Sequence, residues 1–257
     1  MNANWLVTPF FFDERDERLK EAVPLPLSYT TNDSEGVVDR TPESLSKVHR
    51  PIADFVCSVV KQSRVPVSIA GDCAASLPVM AGLQRAGLEP ILVWLDAHGD
   101  FNTLETSPSG FLGGMPLAMM VGRGDLLIAQ KSGQTPVLEE DVWLIGARDL
   151  DPFEEVALGS SQINRRSLDS LDELVFDRQV YLHVDNDIID AEDVPANNYP
   201  VPNGPSLSET IEKCMTFAAR NSICAVSLSG WNGYLDHDGR TGRACQKLLS
   251  SIVSAAR

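Results

Sequence analysis

The sequence predicts an α/β protein built on a mainly parallel, doubly wound central sheet. Short apolar runs at residues 65–70, 90–95, 141–146, 180–184 and 223–228 alternate with stretches of helical spacing, the pattern of strand–helix–strand units. The runs are continuously apolar, as in strands buried on both faces. Long polar loops follow several of them, at residues 96–114, 190–206 and 229–241. Open α/β sheets bind ligands at the carboxyl ends of their strands.

Residues 6–12 predict an opening strand interrupted by Pro9, followed by the charged stretch 13–18 and a loop over 22–35 rich in Pro and Ser. Thr41 caps a helix with Pro42 in its first turn, a favoured arrangement. That helix is expected to end near Val48, before Pro51, and a second helix to run over 52–63 on Ile52, Phe55, Val56, Val59 and Val60. After the strand at 65–70, Gly71 and Asp72 allow a sharp turn into a helix over 74–86 closed by Gly87. The strand at 90–95 opens the 96–114 loop, and a helix follows at 115–121. Further helices are predicted at 151–158, 170–176, 207–219 and 243–256.

The chain has 257 residues, 43% of them hydrophobic, enough for a substantial core in one domain spanning 1–257. Its formal charge is −15, from 21 basic and 36 acidic side chains, and no Lys/Arg cluster interrupts the acidity. Such a surface repels nucleic-acid phosphates and anionic lipid, so neither is an expected partner. The start at Met1–Trp5 has no secretory pattern, and no apolar run reaches spanning length; the expected location is cytoplasmic. The cysteines, Cys57, Cys73, Cys214, Cys224 and Cys245, are scattered and odd in number, so they read as free thiols.

Chemistry concentrates in two places. Asp96, His98 and Asp100 occupy alternate positions directly after an apolar run; Asp185, Asp187 and Asp190 follow another. Either group alone is equally at home in a turn. Together, at the ends of two strands, they point to one metal site in which two ions share carboxylates, since buried carboxylates must be paired or metal-bound. Cys73, Asp151 and Trp231 also fall just after predicted strands.

These residues resemble the arginase/agmatinase ureohydrolase family. The resemblance rests on Gly71-Asp72-Cys73-Ala74-Ala75-Ser76, Asp96-Ala97-His98-Gly99-Asp100-Phe101-Asn102, Ser109 to Pro116, Ile145 to Pro152 and His183 to Asp190, in family order over residues 65–250. It implies a three-layer α/β/α fold and two Mn²⁺ ions that activate a shared hydroxide for hydrolysis of a guanidino group. It implies one ion on Cys73, Asp96, Asp100 and Asp185 and the other on Asp96, His98, Asp185 and Asp187, with Asp100 and His98 serving the hydroxide chemistry. Asn102, Ser107, Ser109 and Asp151 match positions that meet the amino-acid end of the substrate; loop-stabilising or capping roles stand beside that reading. Asp190 and His183 are expected behind the ligands, Asp190 orienting a loop or ligand and His183 either supporting the site or packing as a hydrogen-bonded core residue.

Three positions depart from the family. Cys73 stands for a His ligand, and a soft thiolate shifts preference toward zinc or iron. Gly113 replaces the His of a His-Gly-Met-Pro motif, so that proton carrier is absent. Gly230 replaces a Glu that grips the guanidinium. A branch that resembles this pattern is the N(omega)-hydroxy-L-arginine amidinohydrolase of D-cycloserine biosynthesis, an antibiotic pathway, which yields L-ornithine and hydroxyurea. The expected activity is therefore hydrolysis of a small hydroxyguanidino amino acid. An arginase, another guanidino-acid hydrolase, and a non-catalytic binding protein stabilised by metal are the alternatives. His237 reads as an exposed loop residue or a replacement proton carrier, Trp231 as a pocket wall or a core residue, and His49 has no functional role. The expected oligomeric state is a monomer.

Overall fold

In the computed structural model, which describes residues 2–256, eight strands form one sheet in which every pairing is parallel. In chain order the strands and main helices are β1 (Ala3–Val7), β2 (Phe10–Phe11), β3 (Glu14–Arg15), β4 (Tyr29–Thr31), α1 (Pro42–Lys61), β5 (Val65–Ile69), α2 (Ser76–Arg85), β6 (Ile91–Leu95), α3 (Pro116–Met120), α4 (Leu127–Ser132), β7 (Val142–Ile145), α5 (Pro152–Gly159), β8 (Asn164–Arg166), β9 (Val180–Asp185), α6 (Leu207–Arg220), β10 (Ile223–Ser229) and α7 (Arg240–Ala255). The sheet order is β4-β1-β5-β10-β9-β6-β7-β8; β2 and β3 pair separately as a small antiparallel ribbon.

Period-two alternation divides each central strand between two cores. Val93, Leu95, Leu182 and Val184 face one core with Ile211, Phe217, Leu248 and Leu249 from α6 and α7. Leu92, Trp94 and Tyr181 face the other with Ile52 and Val56 of α1, Leu77 and Met80 of α2 and Ile128 of α4. Burial on both faces explains why these strands read as unbroken apolar runs. Among the described residues no helix is long and apolar enough to cross a membrane.

Several local expectations are corrected. The two helices expected at 41–48 and 52–63 are one helix, α1, with Pro51 inside it. Proline removes the donor that would serve the carbonyl four residues back; that carbonyl, Lys47 O, accepts Ser34 Oγ at 2.9 Å instead. The opening strand ends at Val7, and residues 10–15 turn back as the β2–β3 ribbon. The loop expected at 22–35 contains edge strand β4, and the helix expected at 170–176 is a 3-10 turn over Leu168–Glu173. Two short elements, α4 and the edge strand β8, carry too little apolar patterning to be read.

Sheet order places the functional loops together. The successive strands β5 and β6 are separated by β10 and β9. The crevice between them opens at the carboxyl ends of all four, at the point where the winding reverses.

Candidate metal centre

Cys73 follows β5 on a single 3-10 turn, Cys73–Ala75, that leads straight into α2. Gly71 lets the chain pass close beneath the β2–β3 ribbon, since a Cβ there would lie 2.7 Å from Phe10 O. Asp96, His98 and Asp100 follow β6, Asp185 ends β9 and Asp187 follows it. All but His98, which is partly exposed, are buried.

The ligand-type atoms of Cys73, Asp96 and Asp100 lie within 4.8 Å of one another, as do those of Asp96, His98 and Asp187. Asp96 belongs to both groups, the arrangement two ions sharing a carboxylate require. Asp185 stands against the first group: Cys73 Sγ lies 3.0 Å from Asp185 Oδ2 and 4.0 Å from Asp96 Oδ2. Backbone donors aim the carboxylates. His98 N donates to Asp96 Oδ1 at 2.7 Å, Ala97 N to Asp187 Oδ1 at 3.0 Å and Asp187 N to Asp185 Oδ1 at 3.0 Å.

So many buried carboxylates resist ionisation together. Burial, reinforced by Asp187, pushes Asp185 up to about 7, and burial with Asp96 pushes Asp187 up to about 6. Burial also raises Asp96 and Asp100, and it raises the Cys73 thiol with help from Asp185. Burial disfavours a charge on His98, but Asp187, 2.9 Å from Nδ1, and Asp96 outweigh it and hold the imidazole up at about 12. Among the described residues the positive charge that meets these carboxylates is the His98 imidazolium on one side, with the Arg148 guanidinium behind Asp187. Asp100 Oδ2 is buried without any hydrogen-bond partner, an arrangement that costs several kcal/mol for a lone carboxylate, on the order of 3 or more. An orphaned carboxylate oxygen, a shared central Asp and a donor set of hard oxygens, one imidazole and one thiol fit divalent cations.

A cavity of about 270 Å³ lies over the cluster, lined among others by Asn102, Ser107, Ser109, Phe111, Gly113, Asp151, Glu154, Asn197, Tyr199 and Gly230. Asn102 Nδ2 donates to Asp151 Oδ2 at 2.9 Å. Ser107 and Ser109 sit at the mouth, where their Oγ atoms accept Gly110 N and Phe111 N. Gly113 lines the cavity, but the Phe111 ring fills the space beside it: a Cβ at 113 would lie 2.2 Å from Phe111 Cε1. Gly230 has φ +85, and a Cβ there would meet Asp185 Oδ1 at 2.1 Å and Asn197 Nδ2 at 2.7 Å.

Other candidates lie outside the cavity lining. Asp190 organises its own loop, accepting Glu192 N and Gly204 N at 2.8 Å each. His183 is buried behind the ligands, its ring centroid 3.8 Å from that of Trp94, with Nδ1 2.7 Å from Ser227 Oγ. Trp231 is a core residue whose Nε1 donates to Asp236 Oδ2, and His237 is exposed on the surface.

Sequence reasoning passed over Glu154 and Asn197. Glu154 is buried, lines the cavity and accepts Phe101 N at 2.8 Å, and burial raises its pKa. Its signal was present: Asp151-Pro152-x-Glu154 is a capping box, and both halves form. Asn197 lies in a Pro-rich loop with no motif, pinned by a backbone bridge to Trp231.

Comparison with known proteins agrees with this architecture. Residues 16–254 match the Arginase family. The chain is 31% identical to an arginase of Brevibacillus brevis over 90% of its own length and 81% of that protein's. It is 32% identical to an arginase of Bacillus subtilis over 79% of its length and 73% of the relative's. The crystal structure of arginase from Bacillus subtilis superposes with a TM-score of 0.83, covering 98% of each chain at 24% identity. With a family match that takes in nearly every element of the sheet, the chain belongs to the arginase family, hydrolases that act on guanidino groups.

Proposed function

We propose that the protein is a binuclear-metal amidinohydrolase that converts N(omega)-hydroxy-L-arginine and water to L-ornithine and hydroxyurea. The observation that supports this substrate is the pocket around Gly230. No carboxylate can grow from that position, because Asp185 and Asn197 already hold the space. A guanidinium brought there would find no carboxylate of its own at position 230, and Asp185 beside it is given to the cations in this reading. An N-hydroxyguanidine is much less basic, because its hydroxyl withdraws electrons, and enters neutral.

Cys73, Asp96, Asp100 and Asp185 would hold one cation and Asp96, His98, Asp185 and Asp187 the other, with Mn²⁺ the ion the resemblance implies. When bound, such a pair supplies a low-pKa water nucleophile and charge stabilisation at the carbon attacked. The chain's own groups do the rest. Asp100, whose Oδ2 has no hydrogen-bond partner among the described residues, would both help to hold a cation and take the proton of the attacking water. Asp151 accepts from the substrate ammonium, while Asn102 and Ser109 donate to its carboxylate. The bond between Nδ and the hydroxyguanidino carbon breaks, Nδ leaves with a proton as the amine of ornithine, and the water oxygen becomes the carbonyl of hydroxyurea. Phe111, in the space beside Gly113, keeps this end of the cavity apolar. The same reading takes the chain as one domain, monomeric and cytoplasmic, in a D-cycloserine-type pathway.

A plain arginase is the second reading, favoured by relatives that are named arginase at 31% and 32% identity. Ornithine release by Mn²⁺-reconstituted protein from the two substrates, side by side, separates them. Fast release from hydroxyarginine and little from L-arginine is expected; equal or greater release from L-arginine would establish the second reading.

A further inference from the structure

We propose that a buried file of hydroxyls running from Tyr181 to Cys73 makes Ser229 a positioning residue that sets the donor strength of the Cys73 sulfur toward a metal ion. This rests on the reading of Cys73 as a ligand. The file is a product of sheet register. Tyr181, His183 and Asp185 alternate onto one face of β9, and Ser227 and Ser229 pair beside His183 and Asp185 on β10. Tyr181 Oη lies 2.7 Å from Ser227 Oγ, and Ser227 Oγ lies 2.7 Å from His183 Nδ1. His183 Nε2 lies 3.4 Å from Ser229 Oγ, which in turn is 3.0 Å from Cys73 Sγ and 3.1 Å from Asp185 Oδ2. Every member is buried.

The direction of the donors follows from the far end. Tyr181 is fully buried and Ser227 Oγ is its hydrogen-bond partner among the described residues. A buried hydroxyl left undonated is costly, so Tyr181 donates to Ser227. Ser227 then donates to His183 Nδ1, His183 carries its proton on Nε2 and directs it at Ser229, and the single Ser229 proton is left to be shared, as a three-centre bond, between Asp185 Oδ2 and Cys73 Sγ. The ring of His183 is held in this orientation by Trp94, whose own Nε1 donates to Asp96 Oδ2 at 3.0 Å. A hydroxyl donating to sulfur withdraws electron density from it. The sulfur becomes a harder ligand, more acceptable to Mn²⁺ than a bare thiolate.

The test uses the full chain loaded with Co²⁺, whose thiolate charge-transfer absorption reports on the sulfur directly, alongside competitive Mn²⁺ and Zn²⁺ binding. Cys73→Ser identifies the band by abolishing it. Ser229→Ala is expected to move the band to lower energy and to raise the preference for Zn²⁺ over Mn²⁺ by about tenfold, the size of one charge-assisted hydrogen bond. Ser229→Thr restores both. Tyr181→Phe, an isosteric change at the remote end, moves the band in the same direction by less. A band unmoved by Ser229→Ala and Tyr181→Phe would overturn the proposal while leaving Cys73 a ligand. No thiolate band in the unmodified protein would overturn the ligand reading and the proposal with it.

Discussion

At position 230 the backbone itself excludes a side chain. Gly230 sits at φ +85, where L residues are strained, and the nearest atom to a Cβ would be Asp185 Oδ1 at 2.1 Å. That oxygen cannot swing aside freely, because Asp187 N and Asn197 Nδ2 both hold it. Gly230→Ala should therefore cost about 2 kcal/mol or more of stability from strain and displacement, and lower bound metal per protein as Asp185 turns. Elemental analysis and a melting curve check both; unchanged metal content with an unchanged melting temperature would contradict the account. The same position shows where sequence reading stops. The clustering of the candidate ligands Asp96, His98, Asp100, Asp185 and Asp187 was legible because each follows an apolar strand within a few residues, and that of Cys73 because it follows the Gly71 turn. That Asn197 occupies the space could not be read, since it comes from a loop more than 30 residues earlier in the chain and depends on a single backbone bridge.

Helix α1 owes its continuity to neighbours rather than to its own sequence. Ser34 satisfies the carbonyl that Pro51 leaves open, and Asn32 Nδ2 donates to the adjacent Val48 O at 2.9 Å. Local propensity argued for a break, and contacts made after folding overrode it. His49, directly after Val48, joins α1 to α4: its Nδ1 lies 2.8 Å from Ser132 Oγ, which itself donates to Ile128 O. Ser132 thus accepts, and His49 is the neutral Nδ1–H form. Burial lowers its pKa from 6.5 to about 4. Between those values the unfolded chain binds a proton that the folded chain refuses. This part of the stability is complete above about pH 6.5, falls as pH drops toward 4, and amounts to about 3 kcal/mol. His49→Asn keeps a donor near Nδ1 and removes the titration. Melting temperatures of the metal-loaded protein between pH 7.5 and 5 should fall more steeply for the parent than for this variant; equal slopes would place the acid sensitivity elsewhere.

Across the whole molecule, the sheet brings together carboxylates that the folded chain cannot tolerate fully charged without cations. The formal charge is −15, and its densest part is buried at the centre, where the strand ends of β6 and β9 meet. Burial and mutual repulsion raise Asp185 to about 7 and Asp187 to about 6, from 3.8. In metal-free protein these groups bind protons in the folded state at pH values where the unfolded chain has released them. Their contribution to the stability of the metal-free form therefore falls as pH rises from about 4 through 7, opposite in sign to that of His49. Metal binding runs the other way, because the ligands must be deprotonated and bind only the folded site. Removing metal with a chelator should thus lower the melting temperature more at pH 8 than at pH 6. Thermal scans of Mn²⁺-loaded and chelated protein at the two pH values measure the two gaps. Equal gaps would mean that the cluster does not hold the ions, and that the buried charge is relieved by the His98 imidazolium alone.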